Sequence, residues 1–185
     1  MFVDTIEKIK NTQIIEDNPW DNSPFKTLLT LSIDGRGKVG EEIISQAFHA
    51  IPCNIQEDIT DVNNGNKYDM KVNNYTIEVK TAYRDTRNSW QHENIYRNAN
   101  VDYIIFIDFD YQNVIISCVS TSIIPFDKKD KIFGKKATLR KAKDDGYKFD
   151  FSRRTHQNLI NNNLAQVFSQ TVTKEELGEW LINMI

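Results

Sequence analysis

Tyr68-Asp69-Met70-Lys71-Val72-Asn73-Asn74-Tyr75-Thr76-Ile77-Glu78-Val79-Lys80 decides how this chain is read. Two stretches of β-type alternation flank Asn73-Asn74, a two-residue turn that asparagine permits because it tolerates positive φ. That turn sets the register. Val72 faces Tyr75, Lys71 faces Thr76, Met70 faces Ile77 and Asp69 faces Glu78. Residues directly opposed on an antiparallel pair share a face at a Cβ separation of about 4.5–5.5 Å. Lys80 lies two positions beyond Glu78, so it shares that face. Met70, Ile77 and Val79 point the other way, toward a core. Two opposed carboxylates repel unless a cation lies between them, and hard oxygen donors suit Mg²⁺. A lysine beside such an ion can orient a water and offset charge building on a phosphate. The alternative is a plain surface hairpin with its charges facing water.

Outward from the hairpin, the pattern alternates helix and strand. Phe2, Ile6, Ile9 and Ile14 predict a helix over residues 2–15, broken at Asn18-Pro19. A second helix is expected from Gly35-Arg36-Gly37 to Ile51. Glu57 to Lys67, rich in Asp, Asn and Gly, reads as loop. Val101–Phe109 is a strongly apolar strand interrupted by Asp102 and Asp108, and Val114–Val119 follows it. Leu159, Ile160, Leu164, Val167 and Phe168 predict a helix. Thr173-Lys174-Glu175-Glu176 has the capping-box spacing that opens a last one. The reading is one α/β (α+β) domain over 1–185: a central mixed sheet flanked by helices, a core at about 37–120 and a helical C-terminal part at 152–185.

Asp69, eight intervening residues and then Glu78-Val79-Lys80 resembles the PD-(D/E)xK nuclease superfamily, with its restriction-endonuclease-like fold. Ile77-Glu78-Val79-Lys80-Thr81-Ala82 is similar to that family's strand signature. Tyr68 stands where the family usually writes proline. Gly37-Lys38-Val39-Gly40-Glu41-Glu42 resembles the helix that supplies a further acid, and Trp90-Gln91-His92-Glu93-Asn94-Ile95 the segment, expected as helix, after the catalytic strand. The resemblance implies Asp69, Glu78, Glu41 and the Val79 carbonyl as metal ligands. It implies Lys80 as the water-orienting or charge-stabilising group, Mg²⁺ as cofactor with Mn²⁺ able to replace it, and Gln91 in support. Helix phase selects Glu41 over Glu42. Glu41 falls at the edge of the apolar stripe containing Val39, Ile43 and Ala47, and Glu42 falls in the middle of the polar face.

Residues 128–143 carry eight Lys and Arg against Asp130, Lys135, Lys136 and Arg140 among them. Such a run contacts phosphates or is a solvated face. Arg84, Arg87 and Asn88 follow the catalytic strand and carry the side-chain types that reach base edges in a groove. His49, His92 and His156 lack metal-ligand spacing and read as surface or internally satisfied. Cys53 and Cys118 lack the neighbours of a nucleophile.

Composition bounds the rest. With 185 residues and a net charge of −3, the chain is no histone-like protein, and a local patch is enough for phosphate contacts. Two cysteines exclude a disulfide scaffold and suit a cytoplasmic location. No apolar run approaches the roughly 18 residues that span a bilayer, and the acidic start of the chain predicts no secretory leader. The expectation is a Mg²⁺-dependent endonuclease acting on double-stranded DNA, a small type II restriction enzyme working as a homodimer. A cognate methyltransferase would be encoded nearby. Alternatives are a repair, recombination or phage nuclease, an RNA-cleaving toxin, or a binding module without catalysis.

Overall fold

The computed structural model describes residues 18–61, 66–97, 100–126, 130–134, 138–139 and 146–185, the side chains of 58–61, 66–67 and 138–139 excepted. The helix expected over 2–15 lies outside these residues. Short 3-10 turns at Pro19–Asn22 and Lys26–Thr30 lead into α1, Ile33–His49. Ser32 caps α1, accepting from the Gly35 amide at 3.1 Å. That cap starts the helix before its glycines, slightly earlier than their helix-weakening character suggests.

Six strands form the central sheet: β1 (Ile55–Asp61), β2 (Asn66–Val72), β3 (Tyr75–Tyr83), β5 (Tyr103–Phe109), β6 (Asn113–Ser120) and β9 (Ala165–Ser169). They lie in the order β1-β2-β3-β5-β6-β9. Only β3 and β5 run parallel within it. The parallel pair requires a crossover, and the crossover passes through β4 (Ser89–Tyr96). β4 pairs with β8 (Gly146–Ser152), which pairs with β7 (Thr138–Leu139), as a second three-stranded sheet. α2 (Arg153–Asn161) follows β8, and α3 (Lys174–Ile182) closes the chain.

Two cores result. Ile44, Ala47 and Phe48 of α1 and Leu177 and Leu181 of α3 pack on Met70, Ile77, Val79 and Ile105. On the opposite face, Ala82, Ile104 and Phe106 meet Trp90, Phe149 and Phe151 of the second sheet and Leu159 of α2. β5 is therefore covered on both sides, which is why it is apolar along nearly its whole length. Among the described residues, no helix is long and apolar enough to cross a membrane.

Three segments depart from the sequence reading. Glu57–Lys67, expected as loop, contributes to edge strand β1 and the start of β2. An edge strand tolerates its polar composition. Trp90–Ile95, expected as helix, lies in β4. The stripe from Leu159 to Phe168 is not one helix. α2 ends at Asn161, Asn163 takes a φ of 56°, and β9 begins at Ala165. The left-handed asparagine is a helix stop.

Gly40 sets how closely α1 approaches the sheet. A Cβ there would lie 1.9 Å from Thr81 Oγ1, and 3.2 Å from Thr81 Cβ and Ile107 Cδ1. Gly40→Ala is expected to cost about 1–3 kcal/mol by overpacking. Thr81→Ala removes the nearest obstacle, and Thr81 Oγ1 is buried without a partner among the described residues. The double variant should recover most of the loss in thermal unfolding. If it remains as unstable as Gly40→Ala alone, the contact does not set the helix position.

Candidate active site

The hairpin register holds for Val72–Tyr75, Lys71–Thr76 and Met70–Ile77, with Asn73 at φ 54°. Pairing stops there, one step short of the expected opposition of Asp69 and Glu78. The two strands part instead. Asp69 Oδ2 bridges the gap, accepting from the Val79 amide at 2.7 Å. A side chain thus replaces the next rung of the ladder, and the opening beside it gives access to the polar face of β3.

Glu78 and Lys80 share that face as their spacing requires. Lys80 Nζ donates to Glu78 Oε1, with side-chain exposures of 17% and 22%. Asp69, Glu78, Val79 and Lys80 line one cleft of about 1040 Å³, and Glu41 reaches it from α1. The buried stripe of α1, Gly40, Ile44, Ala47 and Phe48, places Glu41 at its edge. Glu42 is exposed and accepts from Gln46 Nε2 at 2.6 Å. Glu42 also lines the cleft, so position alone does not separate it from Glu41.

Eight carboxylates line the cleft against two lysines and one arginine. A polyanion entering such a space meets repulsion that only cations can relieve. Among the described residues, no three His, Cys, Asp or Glu side chains converge closely enough to form a ready metal cage. Mg²⁺ does not need one, since it is commonly held by one or two carboxylates, waters and substrate oxygens. Asp69 and Glu78 fit that demand as hard oxygen donors.

Gln91 lies on a strand, not a helix, and both ends of its amide are fixed. Nε2 donates to Asp85 Oδ2 at 2.9 Å, and Oε1 accepts from Lys148 Nζ at 2.8 Å. Asp85 also accepts from the amides of Arg87 and Ser89, at 2.8 and 2.9 Å. Burial pushes its carboxyl up, but the bonds from Ser89, Gln91 and Arg87 outweigh that and hold it below the usual range. Gln91 thus stiffens the turn that follows β3.

The three side chains of that turn expected to contact nucleic acid differ in their surroundings. Arg84 is buried, donates to Asp110 Oδ1 at 2.9 Å and Asn88 Oδ1 at 2.6 Å, and stacks on Tyr111 at 4.4 Å. Arg84 is thus spent on the turn, whereas Asn88 is exposed and gives its Oδ1 to Arg84. Arg87 stays exposed beside Asp85. Lys135, Lys136 and Arg140 lie outside the described residues.

A buried cluster of one carboxylate and two imidazoles was not anticipated. Asp108 is fully buried, with its Oδ1 2.9 Å from His92 Nε2 and its Oδ2 2.7 Å from His156 Nε2. Burial raises the Asp108 carboxyl, but the two imidazoles overcome this and hold it below the usual range. The one sequence signal was an aspartate inside an apolar strand, which named no partner. Burial pushes the Cys53 thiol up and that of Cys118 to about 12, so both are poor nucleophiles. No protein-family model, curated protein or solved structure matches the chain.

Proposed function

We propose that the chain is a Mg²⁺-dependent DNA endonuclease with a restriction-endonuclease-like fold, acting as a type II site-specific enzyme. The observation that carries this reading is the parted hairpin, which brings Asp69, Glu78 and Lys80 to one acidic cleft with Glu41 at its side. The order of helix, hairpin and parallel β3–β5 pair also supports it.

Asp69 and Glu78 would hold Mg²⁺, with the Val79 carbonyl and Glu41 as further donors implied by the family resemblance. The ion, when bound, supplies charge for the phosphate and a more acidic water. Lys80 already lies against Glu78, so its ammonium is held in the cleft before substrate arrives. There it orients the attacking water by hydrogen bonding and offsets charge on the phosphate oxygens. The Asp69–Val79 bond keeps one carboxylate at the strand opening. One such centre per chain cuts one strand, so cleavage of a duplex calls for a two-fold dimer. A cytoplasmic restriction system with a partner methyltransferase is the setting that this activity fits.

The test is incubation of the purified chain with supercoiled plasmid, with Mg²⁺ or with EDTA, followed by sequencing of the product ends. Mg²⁺-dependent linear product with ends at one short sequence is the expected result. Plasmid left intact at every metal concentration would overturn the nuclease reading, and scattered ends would remove site specificity.

A further inference from the structure

We infer that the free edge of β9 pairs with the same strand of a second copy of this chain, antiparallel and about a two-fold axis at Val167. The inference deepens the nuclease reading and rests on it for the need of a dimer, but the place of contact comes from the strand itself. β1 and β9 end the six-stranded sheet. The ladder between β6 and β9 settles which backbone groups of β9 face away from it. Leu164 O accepts from the Cys118 amide at 3.0 Å. The register continues with Ile116 opposite Gln166 and Val114 opposite Phe168. Hydrogen-bonded pairs recur at every second residue, so Gln166 and Phe168 bond to β6. The other edge of β6 agrees: Asn113 O accepts from the Asp110 amide at 2.8 Å, which turns Ile115 and Ser117 toward β5 by the same period. The N–H and C=O groups of Ala165 and Val167 therefore point outward, and among the described residues no hydrogen bond meets them.

Sheets guard such an edge with charges, proline or a bulge. β1 follows that rule, since it carries Glu57, Asp58 and Asp61. β9 does not: it reads Ala165-Gln166-Val167-Phe168-Ser169. The nineteen residues from Thr155 to Thr173 contain no Asp, Glu, Lys or Arg, in a chain that is 26% charged. Val167 is apolar and yet 48% exposed. An uncharged edge with outward backbone groups is a template for another strand.

A second copy is the occupant that the register favours. With Val167 on the axis, each Val167 donates to and accepts from its counterpart, Ala165 meets Ser169, and Gln166 meets Phe168. The outward groups of both strands fall into phase. The two valine side chains touch on one face, and no charge opposes a like charge. A strand pair of five residues is small beside the roughly 800 Å² per partner of a standard interface. Exposed, uncharged residues extend the patch at both ends of β9: Asn161, Asn162 and Asn163 before it, Gln170 and Thr171 after it. β5 and β6 separate β9 from the strands that carry Asp69, Glu78 and Lys80, so the pairing leaves both clefts open.

The experiment is sedimentation equilibrium of the full chain, wild type and Val167→Lys, with circular dichroism to show that the variant is folded. Wild type should sediment as a dimer. Val167→Lys sets two ammonium groups on the axis and should raise the dimer dissociation constant at least about tenfold. Val167→Cys locates the contact. Paired Cα atoms at such a position lie about 5.5 Å apart, within disulfide range. Mild oxidation should therefore link Val167→Cys into a covalent dimer, where the parent chain with Cys53 and Cys118 alone gives none. A wild-type chain that stays monomeric up to about 100 µM overturns the inference. So does a dimer that Val167→Lys leaves intact and Val167→Cys fails to link, because the contact then lies on another face. If the dimer and both variants behave as expected while wild type leaves plasmid uncut, the nuclease reading falls and the interface stands. If a chain that remains monomeric cuts plasmid, the interface falls and the nuclease reading stands.

Discussion

Glu78→Gln and Asp69→Asn are each expected to lower Mg²⁺-dependent plasmid cleavage by about 10³-fold or more, the scale of losing a major electrostatic contribution to the transition state. Both substitutions keep shape and remove one charge. They also separate chemistry from scaffold. Asp69 has a structural task, accepting from the Val79 amide where β2 and β3 part. Asparagine retains an oxygen for that bond, so Asp69→Asn should keep the unfolding temperature while losing activity. Asp69→Ala loses both and strands a half-buried amide, a cost of about 1–3 kcal/mol. Glu78 touches Lys80, and glutamine can still accept from the ammonium. Lys80→Ala is the companion measurement: turnover should fall about 10²–10³-fold with DNA affinity nearly intact. Cleavage at wild-type rates by Glu78→Gln would remove the proposed centre, because the remaining Asp69 would then be the sole carboxylate of the hairpin in the cleft.

The hairpin was legible from sequence because two local rules agree on it. Alternation assigns each side chain a face, and Asn73-Asn74 fixes the register to within one residue. The final step, where the strands part at Asp69, depends on what β3 pairs with on its other edge. That edge belongs to β5, about 25 residues further on. β4 escaped detection for a related reason. Its bulge sets buried positions at 90, 92 and 95, a spacing that fits neither strand nor helix period. Arg84 illustrates a different limit. Its sequence neighbours suggested a groove contact, but Asp110 and Tyr111, brought alongside by the β5–β6 turn, claim its guanidinium.

Asp108→Asn is the variant expected to cost most in stability, about 3–5 kcal/mol, because it removes the buried carboxylate that two buried imidazoles share. For a chain of this length that is about a 10 °C fall in Tm. The carboxylate touches imidazoles from two elements, His92 on β4 and His156 on α2. Aromatic rings enclose both. Phe106 and Phe151 lie 4.7 and 4.9 Å from His92, and Trp90 lies 4.5 Å from His156. Neutralising Asp108 therefore strikes the seam between the two sheets. The pH dependence has a definite sign. The folded carboxyl is held below its ordinary value. Its contribution is therefore complete above the unfolded pKa of about 4, and is lost as pH falls through the lower folded value. The gap in Tm between wild type and Asp108→Asn should be widest near neutrality and narrow toward pH 3. An equal gap at both pH values would mean that the carboxylate is not the ionised partner in this cluster. Position adds a functional consequence. Asp108 pairs across the parallel ladder with Ala82, two residues past Lys80, and His92 adjoins Gln91, which braces the Asp85 turn. Gln91, His92 and Glu78 line the same cleft, so loosening this seam is expected to disturb it. Cleavage by the variant should then fall even at temperatures where it remains folded.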